Sequence, residues 1–180
     1  TDFHFTDDDI VEYLESKTKE FLSMYKPQDS NKKRRPRLML TGCPHTGVRD
    51  KIINKVEALG ADIVVLDSCA GPRTQRMLVD ETKDPYEALA EKYLKINCSV
   101  MTPNDGRFED MKSTIEEYKV DGVIEMVLFA CHTFAIEAHK TKKYISEELG
   151  LPYIRINTDF SSSDSAQIQT RLEAFLEMIS

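Results

Sequence analysis

A chain of 180 residues is long enough for one well-cored domain and short for two. Hydrophobic content of 41% beside 31% charged residues excludes a disordered chain, and no apolar run has the length to cross a bilayer. A net charge of −7 argues against nucleic acid, whose phosphates need a concentrated basic surface.

The acidic, polar first ten residues do not resemble a signal peptide. The chain begins at Thr1 without a methionine and so reads as a processed or truncated piece. Residues 6–25, TDDDIVEYLESKTKEFLSMY, predict an amphipathic helix capped by Thr6 or Asp7, with Ile10, Val11, Tyr13, Leu14, Phe21 and Leu22 as its apolar stripe. Such a stripe has to pack on something. The stretch KPQDSNKKRRPR has no periodic apolar face and reads as a linker, its KKRRPR run either solvated or in contact with phosphate or an acidic partner. The domain organisation expected is therefore 1–37 as helix and basic linker, followed by 38–180 as one α/β domain.

From residue 37 apolar runs alternate with amphipathic segments. RLMLTGCP is a strand. GVRDKIINKVEALG is a helix presenting Ile52, Ile53, Val56 and Leu59, with Gly60 as C-cap. ADIVVLDSCAG is the second strand, and DPYEALAEKYL a helix with Asp84 as N-cap and Pro85 at its first position. KINCSVMTPN predicts a shorter third strand, followed by the helix GRFEDMKSTIEEYKV. DGVIEMVLFACH is the fourth strand and TFAIEAHKTKKYISEELG its helix, closed by Gly150. PYIRINTDF is the fifth strand, and SSDSAQIQTRLEAFLEMIS the last helix, capped by Asp164. Five alternations predict a mostly parallel five-stranded sheet with helices on both faces, Rossmann- or flavodoxin-like, preceded by an N-terminal helix.

The cysteines stand at 43, 69, 98 and 131, at gaps of 26, 29 and 33. A strand-plus-helix unit takes about 30 residues, so one cysteine falls in each of the first four units, at the carboxyl end of the predicted strand. In an open parallel sheet those ends share the edge where ligands bind. A single cysteine is often just a buried core residue; four in equivalent places favour a gathered set of soft thiols, suited to an iron–sulfur cluster, zinc or copper(I). Four cysteines without CxxC in a chain of this composition predict a reducing, cytoplasmic compartment. His45 and His132 follow cysteines closely and could hydrogen-bond cluster sulfurs, relay protons or serve as surface or capping residues. Arg73 and Arg107, each a few residues beyond a cysteine, could bind an anionic group, balance cluster charge or form ion pairs. GCPHTG and CAGPR lack the spacing of phosphate loops.

GADIVVLDSCAGPR, DPYEALAEKYL, DGVIEMVLFACHTF and the closing GLPYIRINTDFSSSDSAQIQTRLEAFLEMI together resemble the 2-hydroxyacyl-CoA dehydratase D-component family. That family includes benzoyl-CoA reductase subunits and double-cubane cluster proteins. The TGCP, MTPN and ACHTF words lean toward the double-cubane branch. The resemblance implies a larger two-domain protein, a dimer in full-length form, with an iron–sulfur cluster (4Fe–4S or double-cubane 8Fe–9S) in the cleft between its domains. It also implies an ATP-hydrolysing activator that delivers low-potential electrons, and an acyl-CoA or small-molecule substrate. Cys131 matches the C-terminal-domain cluster cysteine; Cys43 and Cys98 match cysteines of the double-cubane branch, and Cys69 matches less closely. The N-terminal domain of the family supplies further cysteines, so this chain by itself would hold at most half a site and need not carry its cluster. A non-catalytic binding or assembly domain with structural cysteines, and a zinc site of the same thiols, are the alternative readings.

Overall fold

A computed structural model describes residues 7–25, 34–43, 51–68 and 72–179. The expectations for Thr6, residues 26–33, His45 and Cys69 lie outside the described residues. The chain divides into two compact units, Thr1–Arg34 and Arg35–Ser180. In the first, α1 (Asp7–Met24) is a helix whose predicted stripe, from Ile10 to Leu22, is exposed.

The second unit is built on four strands, β1 (Arg37–Gly42), β2 (Asp62–Asp67), β3 (Gly122–Leu128) and β4 (Tyr153–Thr158), all parallel and in the order β2-β1-β3-β4. The two central strands are nearly continuously buried, as apolar runs inside a parallel sheet must be, while β2 and β4 at the edges alternate. The helices are α2 (Ile53–Ala58), α3 (Pro72–Gln75), α4 (Pro85–Leu94), α5 (Gly106–Tyr118), α6 (His132–Lys143) and α7 (Ser165–Glu177). A π-helical turn, Tyr144–Glu148, extends α6 until Gly150 takes a positive φ of 66°.

Successive residues of β1, and of β3 at its start, enter different core clusters, because side chains alternate across a strand. Leu38, Leu40, Ile124 and Met126 join Ile52 and Val56 beside α2 and Ile168, Leu172 and Phe175 of α7. Met39 and Val123 join Met111 and Ile115 of α5 and Ile145 of the π turn.

Two expectations are corrected. KINCSVMTPN forms no strand, so the sheet has four strands instead of five. Pro103 has no N–H to give a ladder, and Val100 stays exposed. The segment turns on itself instead, with the Met101 N–H donating to the Cys98 carbonyl at 2.9 Å. Asp164 does precede α7, but its carboxylate makes no cap hydrogen bond. It accepts from the Thr158 hydroxyl at 2.6 Å and lies 2.5 Å from the Lys51 ammonium. Asp84, by contrast, caps α4 as expected, accepting from the N–H groups of Tyr86 and Glu87.

The strand order fixes where a site can be. The chain leaves β1 for β2 on one side, then crosses back to β3 on the other. The crevice created by such a switch lies outside the carboxyl ends of β1 and β3.

Candidate functional site

Cys43 and Cys131 follow β1 and β3 and meet at that switch point. Gly42 makes the approach possible. It has φ +109°, and a Cβ there would stand 2.0 Å from the Met126 carbonyl oxygen. With no side chain in the way, the Cys43 N–H donates to that same oxygen at 2.8 Å, drawing the cysteine against β3. The sulfur of Cys43 then accepts the Leu128 N–H at 3.3 Å. On the other side, Ala130 adopts a left-handed φ of 64° and the Cys131 N–H donates to Leu128 O at 3.1 Å. This tight turn puts Cys131 at the N-cap of α6.

The two thiols differ in character. Burial pushes the Cys43 thiol up to about 11, with the neighbouring Cys131 adding to the shift against the Leu128 N–H. Burial would raise Cys131 as well, but the Phe134 N–H, the Thr133 hydroxyl, the Cys43 thiol and the Thr133 N–H outweigh it and hold Cys131 below the usual thiol range. A thiol at a helix N-terminus is stabilised as the thiolate for this reason. The result is a buried proton-holding sulfur in contact with a partly exposed, readily ionised one.

Cys98 is half-buried in the loop that replaces the third strand, and residues 99–104 of that loop share a groove of about 270 Å³ with Thr133 and Ile136 of α6. His132, the first residue of α6, is exposed. Arg73 and Arg107 are buried among carboxylates. Arg73 grips Asp67 through Nε at 2.6 Å and Nη2 at 2.8 Å. Arg107, fully buried, pairs with Glu137, donates to the Thr41 hydroxyl at 3.1 Å and lies 5.5 Å over the Phe134 ring. Burial opposes ionisation of Asp67, yet Arg73, Arg107 and the Thr41 hydroxyl hold its carboxyl below the usual range. Glu125, fully buried on β3, is pushed up by burial despite the Tyr153 hydroxyl and the Arg107 charge.

Sequence reasoning missed Asp67, Glu125, Glu137 and Lys51. Glu125 had a signal, a carboxylate interrupting the apolar run GVIEMVLF. The buried Lys51 had none; it donates to Thr158 Oγ1, Asp159 O and Ser161 O, tying the start of α2 to the loop beyond β4.

An iron–sulfur cluster takes four thiolates as a rule. In kind, two adjacent soft sulfurs, one receiving a backbone N–H, fit such a centre. In number they do not complete it: among the described residues no three His, Cys, Asp or Glu side chains are grouped to hold a metal ion.

Comparison with known proteins places the chain. The family model "2-hydroxyglutaryl-CoA dehydratase, D-component" matches residues 1–179. The chain is 43% identical over 145 residues to the "Putative dehydratase subunit YjiM" of Escherichia coli (strain K12), a match covering 81% of this chain and 38% of that protein. It is 28% identical to the (R)-phenyllactyl-CoA dehydratase beta subunit of Clostridium sporogenes, over 70% of this chain and 32% of the relative. The lactoyl-CoA dehydratase subunit alpha of Anaerotignum propionicum is 25% identical, over 76% and 31%. The matches thus span about a third of each relative's length. With a family match over nearly its whole length, the chain belongs to the 2-hydroxyglutaryl-CoA dehydratase D-component family.

Proposed function

We propose that this chain is the cluster-binding C-terminal domain of an iron–sulfur 2-hydroxyacyl-CoA dehydratase-like enzyme. The observation that carries the reading is the contact between Cys43 and Cys131 at the switch in strand order, where an open parallel sheet takes its ligands. Family membership supports it, and two relatives are named for acyl-CoA dehydration.

When bound, a 4Fe–4S or double-cubane cluster would supply low-potential electrons to a thioester or small-molecule substrate. Cys43 and Cys131 would hold it, with Cys98 and Cys69 as further ligands. Cys131, whose thiol is held low, would offer the more readily ionised sulfur, and Cys43, whose thiol is raised by burial, would have to give up its proton to serve as a thiolate ligand. The Leu128 N–H stays on the Cys43 sulfur, the kind of hydrogen bond that tunes a cluster's potential. His132 and His45, close to cysteines in sequence, would serve as donors to cluster sulfurs or proton relays. Arg73 and Arg107 act through the carboxylates they hold. The rest of the enclosure falls to an N-terminal domain of the same protein, against which the exposed apolar stripe of α1 packs. An ATP-hydrolysing activator delivers the electrons, and the full-length protein is a cytoplasmic dimer.

The burial and raised thiol of Cys43 favour a second reading, a non-catalytic binding or assembly domain in which that cysteine is structural. Iron analysis of the anaerobically purified full-length protein separates them. Cys131→Ser lowers iron content severalfold, since loss of a sulfur bound directly to the metal costs at least what loss of a group hydrogen-bonded to a ligand does, about 10-fold or more in affinity. Cys69→Ser costs less. Iron unchanged in Cys131→Ser would leave the binding-domain reading standing.

A further inference from the structure

Residues 95–104 carry Cys98 without a strand to hold them, so something other than sheet hydrogen bonds must fix this loop. A chain of buried polar contacts does so. Arg73, gripping Asp67, donates through Nη1 to the Asn97 carbonyl at 3.2 Å, next to Cys98. The Asn97 side chain donates to Asp110 of α5 at 2.6 Å. At the far end of the loop Asn104 donates to Glu137 Oε1, and Arg107 pairs with Glu137 Oε2. Thr41 donates to Asp67 at 2.6 Å and accepts from Arg107, closing the chain onto β1.

The chain thus joins the segments that bear cysteines. Thr41 lies two residues before Cys43, Asp67 two before Cys69, Asn97 one before Cys98, and Glu137 on the helix that Cys131 caps. Buried ion pairs are poor sources of stability, and registry is their best-attested use. The polar satisfaction here is incomplete in the same sense: among the described residues, Asn104 Oδ1, Arg107 Nε and Glu125 Oε1 are buried without a hydrogen-bond partner.

We infer that Glu137, bonded to both Asn104 and Arg107, is a positioning residue that docks the Cys98 loop onto the first turns of α6, in place of the missing strand. This rests on the reading of the cysteines as a common ligand set, and its consequence is that Glu137 sets where Cys98 stands while leaving the Cys43–Cys131 contact alone.

The test is residue-resolved alkylation, by mass spectrometry, of the full-length protein freed of metal under anaerobic conditions. In Glu137→Gln the amide cannot accept from both partners. Cys98 should then label about tenfold faster, the factor that losing one charge-assisted hydrogen bond from a closed loop implies. Cys131 labelling and the circular dichroism spectrum should change little, and Glu137→Asp should restore part of the protection. Should Glu137→Gln fail to fold, Asn104→Ala removes the loop's own bond and leaves the Arg107–Glu137 pair in place; Cys98 should again label faster. Unchanged Cys98 labelling, or equal acceleration of Cys43, Cys98 and Cys131, would overturn the inference. Because the readout needs no iron, a wild-type protein that binds none would sink the cluster reading and still report on the loop.

Discussion

Two residues of the same type, Cys43 and Cys131, have been made chemically unequal by one residue-scale difference. Cys43 is closed in by β3, while Cys131 faces the free N–H groups of α6. Thiolate is the reactive form. In the metal-free protein Cys131 should therefore alkylate at lower pH than an ordinary thiol, and Cys43 should resist until pH approaches about 11. Labelling rates against pH for each cysteine check this, and the reverse order would contradict it. Glu125 offers a second residue-scale test. Its carboxyl is raised above the ordinary 4.5 by burial, so its contribution is intact below that value and is lost as pH rises through the folded-state value. Glu125→Gln stays neutral and should gain about 1–3 kcal/mol over the wild type between pH 4 and pH 8, the cost of a buried charge left short of partners. Urea titrations at the two pH values measure the difference. The sequence announced Glu125 as an oddity in an apolar run, but its partners Tyr153 and Arg107 are 28 and 18 residues away and only the fold joins them.

At the scale of elements, the strands β1 and β3 were legible because they are central and apolar throughout, and α4 because Asp84 and Pro85 mark its start locally. The misread element was KINCSVMTPN, whose apolar residues are scattered among polar ones, so that tertiary contacts rather than local pattern decide. Asp164 shows the same limit: its position was readable, but a buried lysine more than a hundred residues away claims its carboxylate. The glycines make a paired prediction. At Gly42 a methyl group would strike the Met126 carbonyl, so Gly42→Ala should cost about 3 kcal/mol or more and disturb the Cys43 approach. At Gly60, with φ +92° and nothing within 4 Å, alanine should cost only about 1 kcal/mol of backbone strain. Equal losses in chemical denaturation would show that the close approach of β1 to β3 is not what Gly42 serves.

At the scale of the whole molecule, the cysteine spacing put Cys43 and Cys131 at strand ends, where the structure also has them, and the strand order makes them the pair at the switch; Cys98 follows no strand, because the expected third strand does not form. Where Cys98 stands was beyond sequence reasoning, because a loop carries it and a parallel sheet dictates only where its strands end. The matches cover about a third of each relative's length, and the proposed site is one that a longer protein would complete. The direct test is anaerobic purification of that full-length protein, with iron, acid-labile sulfide and zinc measured per polypeptide and low-temperature EPR after reduction. Iron and sulfide in near-equal amounts and a reduced-cluster signal are expected, both lost when Cys43 and Cys131 are replaced together by serine. A folded wild-type protein holding zinc or no metal, or an EPR signal that survives the double replacement, would contradict the cluster reading.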